Sequence, residues 1–378
     1  MEKRQIPLTC GIPGTETAIT AFCYGPVQGV RKVYVQASLH ADELPGSLAA
    51  WQLCERLQAL ELQERVRAQI VVVPLCNPLG LRQKLLYSHV GHFDLATGQN
   101  FNRLRTIAFY AETLARLQAE GVPVLGQDAG ANRETIRAAM RAALDERQPG
   151  NMLEALHIAL LRLACDADLV LALHCDKHAV LHLYTLPQLW PHLEPLACWL
   201  GSQCQIVSED SQARSFDEVV SVPWVMLQQV FPDANIPLAC HGVTVELRGE
   251  NDLSRQWAQQ DANAILQYLH HLGDVCLPAD EIRPMPALAN KPHPLSGLVY
   301  VAAPVAGIVI YHVQPGVWVK QGELLAEVID PVLPRCVPVY SPIEGFVFAT
   351  DNQRFGQPQN TLLSLSGRSD MGHIGLSP

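Results

Sequence analysis

No Cys-x-x-Cys pair occurs in this chain, although it carries 11 cysteines among 378 residues. Scattered cysteines of this kind read as buried reduced thiols and set the expectation of a reducing, cytoplasmic location. Charge is also scarce: Asp, Glu, Lys and Arg make up 17%, against 48% hydrophobic residues. That balance excludes a disordered chain and allows a large core. The formal net charge of -10 argues against a nucleic-acid backbone or an anionic membrane as the main partner. It does not exclude an anionic small molecule, because one arginine can decide that locally. Long apolar runs are missing, none approaching the roughly 18 residues that cross a bilayer. No apolar segment follows Met1-Glu2-Lys3-Arg4-Gln5, where Pro7, Gly11 and Pro13 intervene, so no signal peptide is expected.

What the chain does have is alternation. Val33–Leu39, Ala68–Leu75, Leu169–Leu173, Leu181–Thr185 and Gly242–Leu247 read as strands. Ser47–Leu62, Ile107–Glu120, Glu134–Leu144, Met152–Cys165 and Leu253–His271 read as helices. The pattern predicts an α/β domain over residues 1–276, with a mixed sheet flanked by helices. Residues 104–165 read as a helical, insertion-like region beside the site. Five prolines between Leu277 and Pro294 mark a linker. Beyond it, Ala303-Pro304-Val305-Ala306-Gly307-Ile308-Val309 matches Ser341-Pro342-Ile343-Glu344-Gly345-Phe346-Val347 at an offset of 38. Two such units predict a small C-terminal all-β domain, barrel- or sandwich-like, over residues 295–378.

The chemistry gathers at strand ends, where open α/β sheets hold their ligands. His40 and Glu43 follow the first strand, with Pro45-Gly46 and a helix behind them; His174 ends another strand. Two histidines and one glutamate leave a fourth zinc position open, as in catalytic sites. The plainer alternatives are a polar loop capping the next helix, for His40, Asp42 and Glu43, and a satisfied core histidine, for His174. Asp176 is a candidate to orient a ligand from behind, or a turn residue. Glu246 lies within the apolar Val243-Thr244-Val245-Glu246-Leu247, where a carboxylate is costly unless paired or functional. It suits a general base, the alternative being an ion pair with Arg248. Asn102 and Arg103 could bind a carboxylate, since arginine grips one with two parallel hydrogen bonds; otherwise they belong to a solvated loop.

His40-Ala41-Asp42-Glu43, Asn77-Pro78-Leu79-Gly80, Asn102-Arg103, His174 and Glu246, in that order, resemble the succinylglutamate desuccinylase/aspartoacylase family, a branch of the zinc carboxypeptidase fold. The resemblance implies one zinc per chain, held by His40, Glu43 and His174. It implies Glu246 as the base that activates water and then protonates the leaving amine. Asn102 and Arg103 would bind the carboxylate of an N-acyl amino acid or similar small amide. The chain departs from the family in two places. Asn100-Phe101-Asn102-Arg103 stands where the family often has Asp-Leu-Asn-Arg, and Tyr87–Phe93 lacks the arginine the family tends to place there for the oxyanion. His92, His89 or Arg82 are the candidates to replace it. The C-terminal repeat also resembles a biotinyl/lipoyl carrier, but Ile329–Cys336 between the repeats holds no lysine to carry the group. A domain that covers the cleft and limits substrate size fits better.

The resulting expectation is a cytoplasmic zinc amidohydrolase that removes an acyl group from an amino acid. The alternatives are a metallocarboxypeptidase and a non-catalytic member of the fold that binds zinc or ligand. Exposed β edges leave room for a homo-oligomer.

Overall fold

The structure, a computed structural model, describes residues 1–10, 13–105, 107–119, 121, 124–209, 211 and 213–367. The chain opens with the hairpin β1 (Glu2–Pro7) and β2 (Ala18–Tyr24), then β3 (Lys32–Ala37), α1 (Pro45–Leu62) and β4 (Gln69–Val73). A short hairpin, β5 (Lys84–Leu85) and β6 (Ser88–His89), leads to α2 (Phe109–Leu117), α3 (Ala129–Asp145) and α4 (Met152–Ala164). Then come β7 (Leu169–Asp176), β8 (His178–Ala179), β9 (His182–Thr185), α5 (Trp190–Leu200), β10 (Cys204–Val207) and α6 (Phe216–Val230). β11 (His241–Gly249) and α7 (Arg255–His271) follow, and β12 (His293–Pro294) lies inside the proline-rich stretch.

The principal sheet has nine strands in the order β1-β2-β4-β3-β7-β11-β9-β10-β12. β3 pairs in parallel with both β4 and β7, and β11 pairs in parallel with β7 but antiparallel with β9. The expected α/β class with a mixed sheet is therefore what the chain forms. The central strands are buried on both sides, which is why they read as continuous Val/Leu/Ile runs rather than alternating ones. One face packs against α1, α5 and α7 through Leu53, Leu57, Leu193, Leu196, Ile265 and Leu269. The other packs against α2, α3, α4 and α6 through Phe109, Met140, Leu156 and Trp224. Helix α2 stops at Leu117; Glu120, its expected end, lies outside the described residues. Helices α5 and α6 were not evident from the sequence because each contains an internal proline, Pro195 and Pro223, a residue that reads as a breaker. Among the described residues no helix is long and apolar enough to cross a membrane, and no cysteine is disulfide-bonded.

The C-terminal strands are β13 (Leu298–Ala302), β14 (Gly307–Tyr311), β15 (Val317–Val319), β16 (Leu324–Asp330), β17 (Arg335–Tyr340), β18 (Gly345–Thr350), β19 (Phe355–Gly356) and β20 (Thr361–Ser366). The two sequence repeats fall in two different antiparallel sheets: β14 pairs with β16 in one, β18 with β20 in the other. Val309, Leu325 and Val328 of the first meet Val347, Leu363 and Leu365 of the second in a shared core. A second cluster joins this unit to the principal sheet, with Val180 and Ile206 against Leu298, Phe346 and Phe348. The junction is also a sheet contact, because β8 pairs with β18.

Candidate active site

Neighbouring parallel strands bring the chemistry-bearing residues to one edge of the sheet. In the β7–β11 ladder His174 stands directly opposite Glu246. β3 lies on the other side of β7, with Ala37 opposite Leu173, so the loop after β3 begins level with His174. That loop turns at Ser38, whose φ of 55° is left-handed, and Ser38 Oγ donates to Glu43 O at 3.0 Å. Asn77 braces the loop from below, its Nδ2 donating to Leu39 O at 2.7 Å and its Oδ1 accepting from Gly80 N–H at 2.8 Å. Gly91 packs so closely that a Cβ there would meet Asp42 N at 2.5 Å, which sets the neighbouring His92 against His40.

Glu43 is the hub. Its Oε1 lies 2.7 Å from His40 Nδ1 and its Oε2 lies 2.7 Å from His174 Nδ1. Cys175 N–H also donates to Oε2, at 3.3 Å. His92 stacks on His40 with ring centroids 3.6 Å apart, its Nδ1 3.6 Å from Glu43 Oε1. His40 Nε2 lies 2.8 Å from Asn100 Oδ1, which also accepts the Asn102 N–H at 2.8 Å. Asn100 Oδ1 is thus an acceptor, so Nε2 is the protonated nitrogen and a neutral His40 presents its Nδ1 lone pair toward Glu43. Two acceptors 2.7 Å apart need a cation between them, a proton or a metal. The donor set fits a divalent ion of the zinc type. His40, Glu43 and His92 offer ligand atoms within 4.8 Å of one another, a group that does not include the expected His174, which meets the other oxygen of Glu43 at 2.7 Å.

The alternatives to a functional role are largely filled elsewhere. Helix α1 is capped at Leu44 with no side-chain cap, and no acidic residue lies in its first turn, so Asp42 and Glu43 are not cap residues. Arg248 pairs with Asp261, not with Glu246. Asn102 is buried; its Oδ1 accepts from Phe216 N–H at 2.8 Å and its Nδ2 lies 3.5 Å from His174 Nε2. Arg103 reaches the cavity wall and donates to Asn102 O at 2.9 Å. Asp176 lines the cavity and accepts from Lys177 N–H at 2.7 Å, with no hydrogen bond to His40, Glu43 or His174. Arg82 points away and donates to Thr17 Oγ1 at 2.9 Å, and His89 bonds to Gly80 O at 3.1 Å. Of the three candidates for the missing arginine, only His92 faces the site.

Burial dominates the electrostatics. It works to raise the Glu43 carboxyl, but the His40 and His174 imidazoles outweigh it and hold Glu43 well below the ordinary carboxylate range. Burial lowers His92 to about 3, with His40 adding to the effect, so His92 is a neutral ring that can donate one N–H. Burial, with Glu43, Asp176 and Asp217 nearby, pushes Glu246 well above an ordinary glutamate, which makes its carboxylate a stronger base. The cavity around these groups measures about 480 Å³, within the range of small-molecule sites. Its far wall comes from the C-terminal unit, through Tyr300, Phe348, Thr350 and Leu363.

Three supporting residues escaped the sequence reading. Asn100 fixes the His40 tautomer. His157, buried on α4, bonds through Nε2 to Phe101 O at 2.7 Å and so ties the helical region to the 100–103 loop. Asp217, in the first turn of α6, lines the cavity. Only Asn100 had a visible signal, as the residue replacing the family's aspartate.

Residues 29–120, which carry His40, Glu43, Asn102 and Arg103, match the family model of the succinylglutamate desuccinylase/aspartoacylase catalytic domain. The family resemblance seen in the sequence therefore stands. His174 and Glu246 lie beyond the matched segment. A solved protein of this family from Shewanella amazonensis SB2B aligns with a TM-score of 0.79 and 22% identity, over 97% of this chain and 98% of that one. One from Shewanella frigidimarina NCIMB 400 gives 0.79 and 21%, over 97% of each chain. The product-bound ectoine utilization protein EutE (DoeB) from Ruegeria pomeroyi gives 0.62 and 15%, over 94% and 90%. At these identities the likeness concerns the fold, which the desuccinylase/aspartoacylase structures share along almost their whole length. No protein of curated function matches the chain in sequence.

Proposed function

We propose that the protein is a zinc-dependent deacylase that hydrolyses the amide bond of an N-acyl amino acid or a similar small amide. The observation that carries this reading is Glu43 bridging the Nδ1 atoms of His40 and His174 at 2.7 Å each, with Glu246 opposite His174 on the next strand. His40, Glu43 and His174 would hold one zinc ion, which when bound supplies Lewis acidity to a carbonyl and acidifies a water. Glu246 takes the proton from the attacking water and returns it to the leaving amine. His92, a neutral N–H donor beside His40, faces the developing oxyanion in place of the family's arginine. Arg103 binds the substrate carboxylate. Asn102 positions the Arg103 loop against α6, and Asp176 shapes the wall. Because Tyr300 and Phe348 close the far side of the cavity, a small amide fits better than a polypeptide C-terminus, which disfavours the carboxypeptidase reading. The absence of disulfides among 11 cysteines supports a cytoplasmic location.

The test pairs metal content with turnover on an acyl-amino-acid panel. Wild type should hold about one zinc and be active, His174→Ala should lose both, and Glu246→Gln should keep the metal and lose about 10²- to 10⁴-fold in kcat. Near-normal kcat in Glu246→Gln would remove that residue from the base role. A zinc-loaded protein that hydrolyses nothing on the panel would leave a binding protein of this fold.

A further inference from the structure

Strand β11 does not run straight past its carboxylate. Val243, Val245 and Leu247 belong to the core on the α7 side of the sheet, while Thr244 and Glu246 line the cavity. Continued alternation would set Arg248 on the cavity face, one pleat beyond Glu246. The chain departs from that pattern. Glu246 stands opposite His174 and Gly249 opposite Asp176, so Leu247 and Arg248 of β11 match Cys175 alone on β7. The extra residue makes a β-bulge, uncommon in a parallel pair and a means of re-aiming a side chain beside an active site. Arg248 has a left-handed φ of 65°, an unfavourable conformation for a residue other than glycine. Close neighbours hold the far end of the bulge: a Cβ on Gly249 would meet Lys177 O at 2.9 Å, and Gly249 N–H donates to Asp252 Oδ2 at 3.0 Å.

The bulge carries the Arg248 side chain to α7. There it is 8% exposed, pairs with the buried Asp261 and lies over the Trp257 ring, 4.3 Å from its centroid. Stability does not account for this arrangement. Taking two charges out of water largely offsets their attraction, the backbone at Arg248 is strained, and Arg248 Nε is buried without a hydrogen-bond partner. What the arrangement achieves is separation. A guanidinium on the cavity face two residues from Glu246 would pair with it, and a carboxylate stabilised by a cation is a poorer proton acceptor. Resting on the deacylase reading, we propose that Asp261 is a positioning residue for the reaction: by drawing Arg248 across the bulge to α7, it keeps that cation off Glu246 and leaves the base free. Neither Arg248 nor Asp261 lines the cavity, so both act through Glu246 and not on the substrate.

The experiment measures kcat, KM and zinc content of Asp261→Asn, Arg248→Met and the double variant, on an N-acyl amino acid that the wild type hydrolyses. Asp261→Asn frees the guanidinium and should lose about 10- to 100-fold in kcat, with KM and zinc per chain unchanged. Arg248→Met has no cation to release and should stay close to wild type, and the double variant should recover most of the loss. In a Glu246→Gln background, Asp261→Asn should cost nothing further, because no carboxylate remains to be trapped. A purely structural ion pair predicts otherwise, since both single variants break the same pair and would lose activity alike. Equal losses, an Asp261→Asn variant with wild-type kcat, or loss of zinc with Asp261 would overturn the proposal and leave the deacylase reading intact. If Asp261→Asn does not fold, Arg248→Met decides alone: a loss of about tenfold or more in kcat overturns the proposal, and near-normal turnover supports it. A wild type that hydrolyses no amide on the panel would end both readings.

Discussion

His178 and Thr350 share a hydrogen bond of 2.8 Å between Nδ1 and Oγ1, across the junction of the two sheet systems. The strand that ends in His174 and Asp176 continues through Lys177 into β8, which pairs with β18 of the C-terminal unit. The wall opposite the metal ligands is thus fastened two residues beyond Asp176, and Phe348 packs behind the fastening with Val180 and Ile206. The proline-rich stretch contributes β12 to the edge of the principal sheet. A chain cut near Pro286 should expose Val180 and Ile206 and aggregate rather than leave a well-behaved fragment. Phe348→Ala in the full chain should cost about 3–5 kcal/mol, as large-to-small core changes do, read from denaturant unfolding. A soluble, cooperatively folding 1–286 fragment would show that the junction is dispensable.

Asn100 acts on the metal through His40. Removing its carbonyl frees the His40 ring and its tautomer, so Asn100→Ala should weaken zinc binding about 10- to 100-fold, measured by competition with a chromophoric chelator. Asn100→Asp keeps the acceptor at Oδ1 and removes the amide Nδ2, which is buried without a partner. It should bind zinc at least as tightly as wild type. Equal affinity in all three proteins would detach Asn100 from the metal.

The framework of this site was legible because strand ends are: His40, His174 and Glu246 each follow or interrupt a Val/Leu-rich run, and the runs became β3, β7 and β11. The supports were not legible, since Asn100, His157 and Asp217 act through contacts between residues 56 or more positions apart or through a cavity. Arg82 is the converse. It lies near the motif in sequence, yet the turn Gly80–Arg82 directs it to Thr17, a direction that only the fold determines.

His92 and His174 make separable predictions because they meet Glu43 differently, His174 at 2.7 Å from a rigid strand and His92 at 3.6 Å from a loop. His92→Ala should retain about one zinc per chain and lose about 10²- to 10³-fold in kcat, the scale of one oxyanion donor. Arg82→Ala should change neither. Elemental analysis alongside kinetics decides the matter: zinc lost with His92 but kept with His174→Ala would exchange the two roles.

Asp217 also leaves a mark on stability. Its carboxyl is pushed up to about 6 in the folded protein, against about 3.9 in an unfolded chain. Below pH 4 both states are protonated and the group costs nothing. As pH rises from about 4 to 6 the unfolded chain releases its proton while the folded one keeps it, so stability falls, and the full cost is present above the folded pKa. An asparagine at this position has no proton to release. In metal-free protein, the stability of Asp217→Asn relative to wild type should therefore grow by on the order of 1–3 kcal/mol between pH 4 and pH 7, seen in paired urea titrations. A stability difference that does not change with pH would mean that Asp217 titrates as an ordinary exposed aspartate, and its charge would then carry no weight in the cavity.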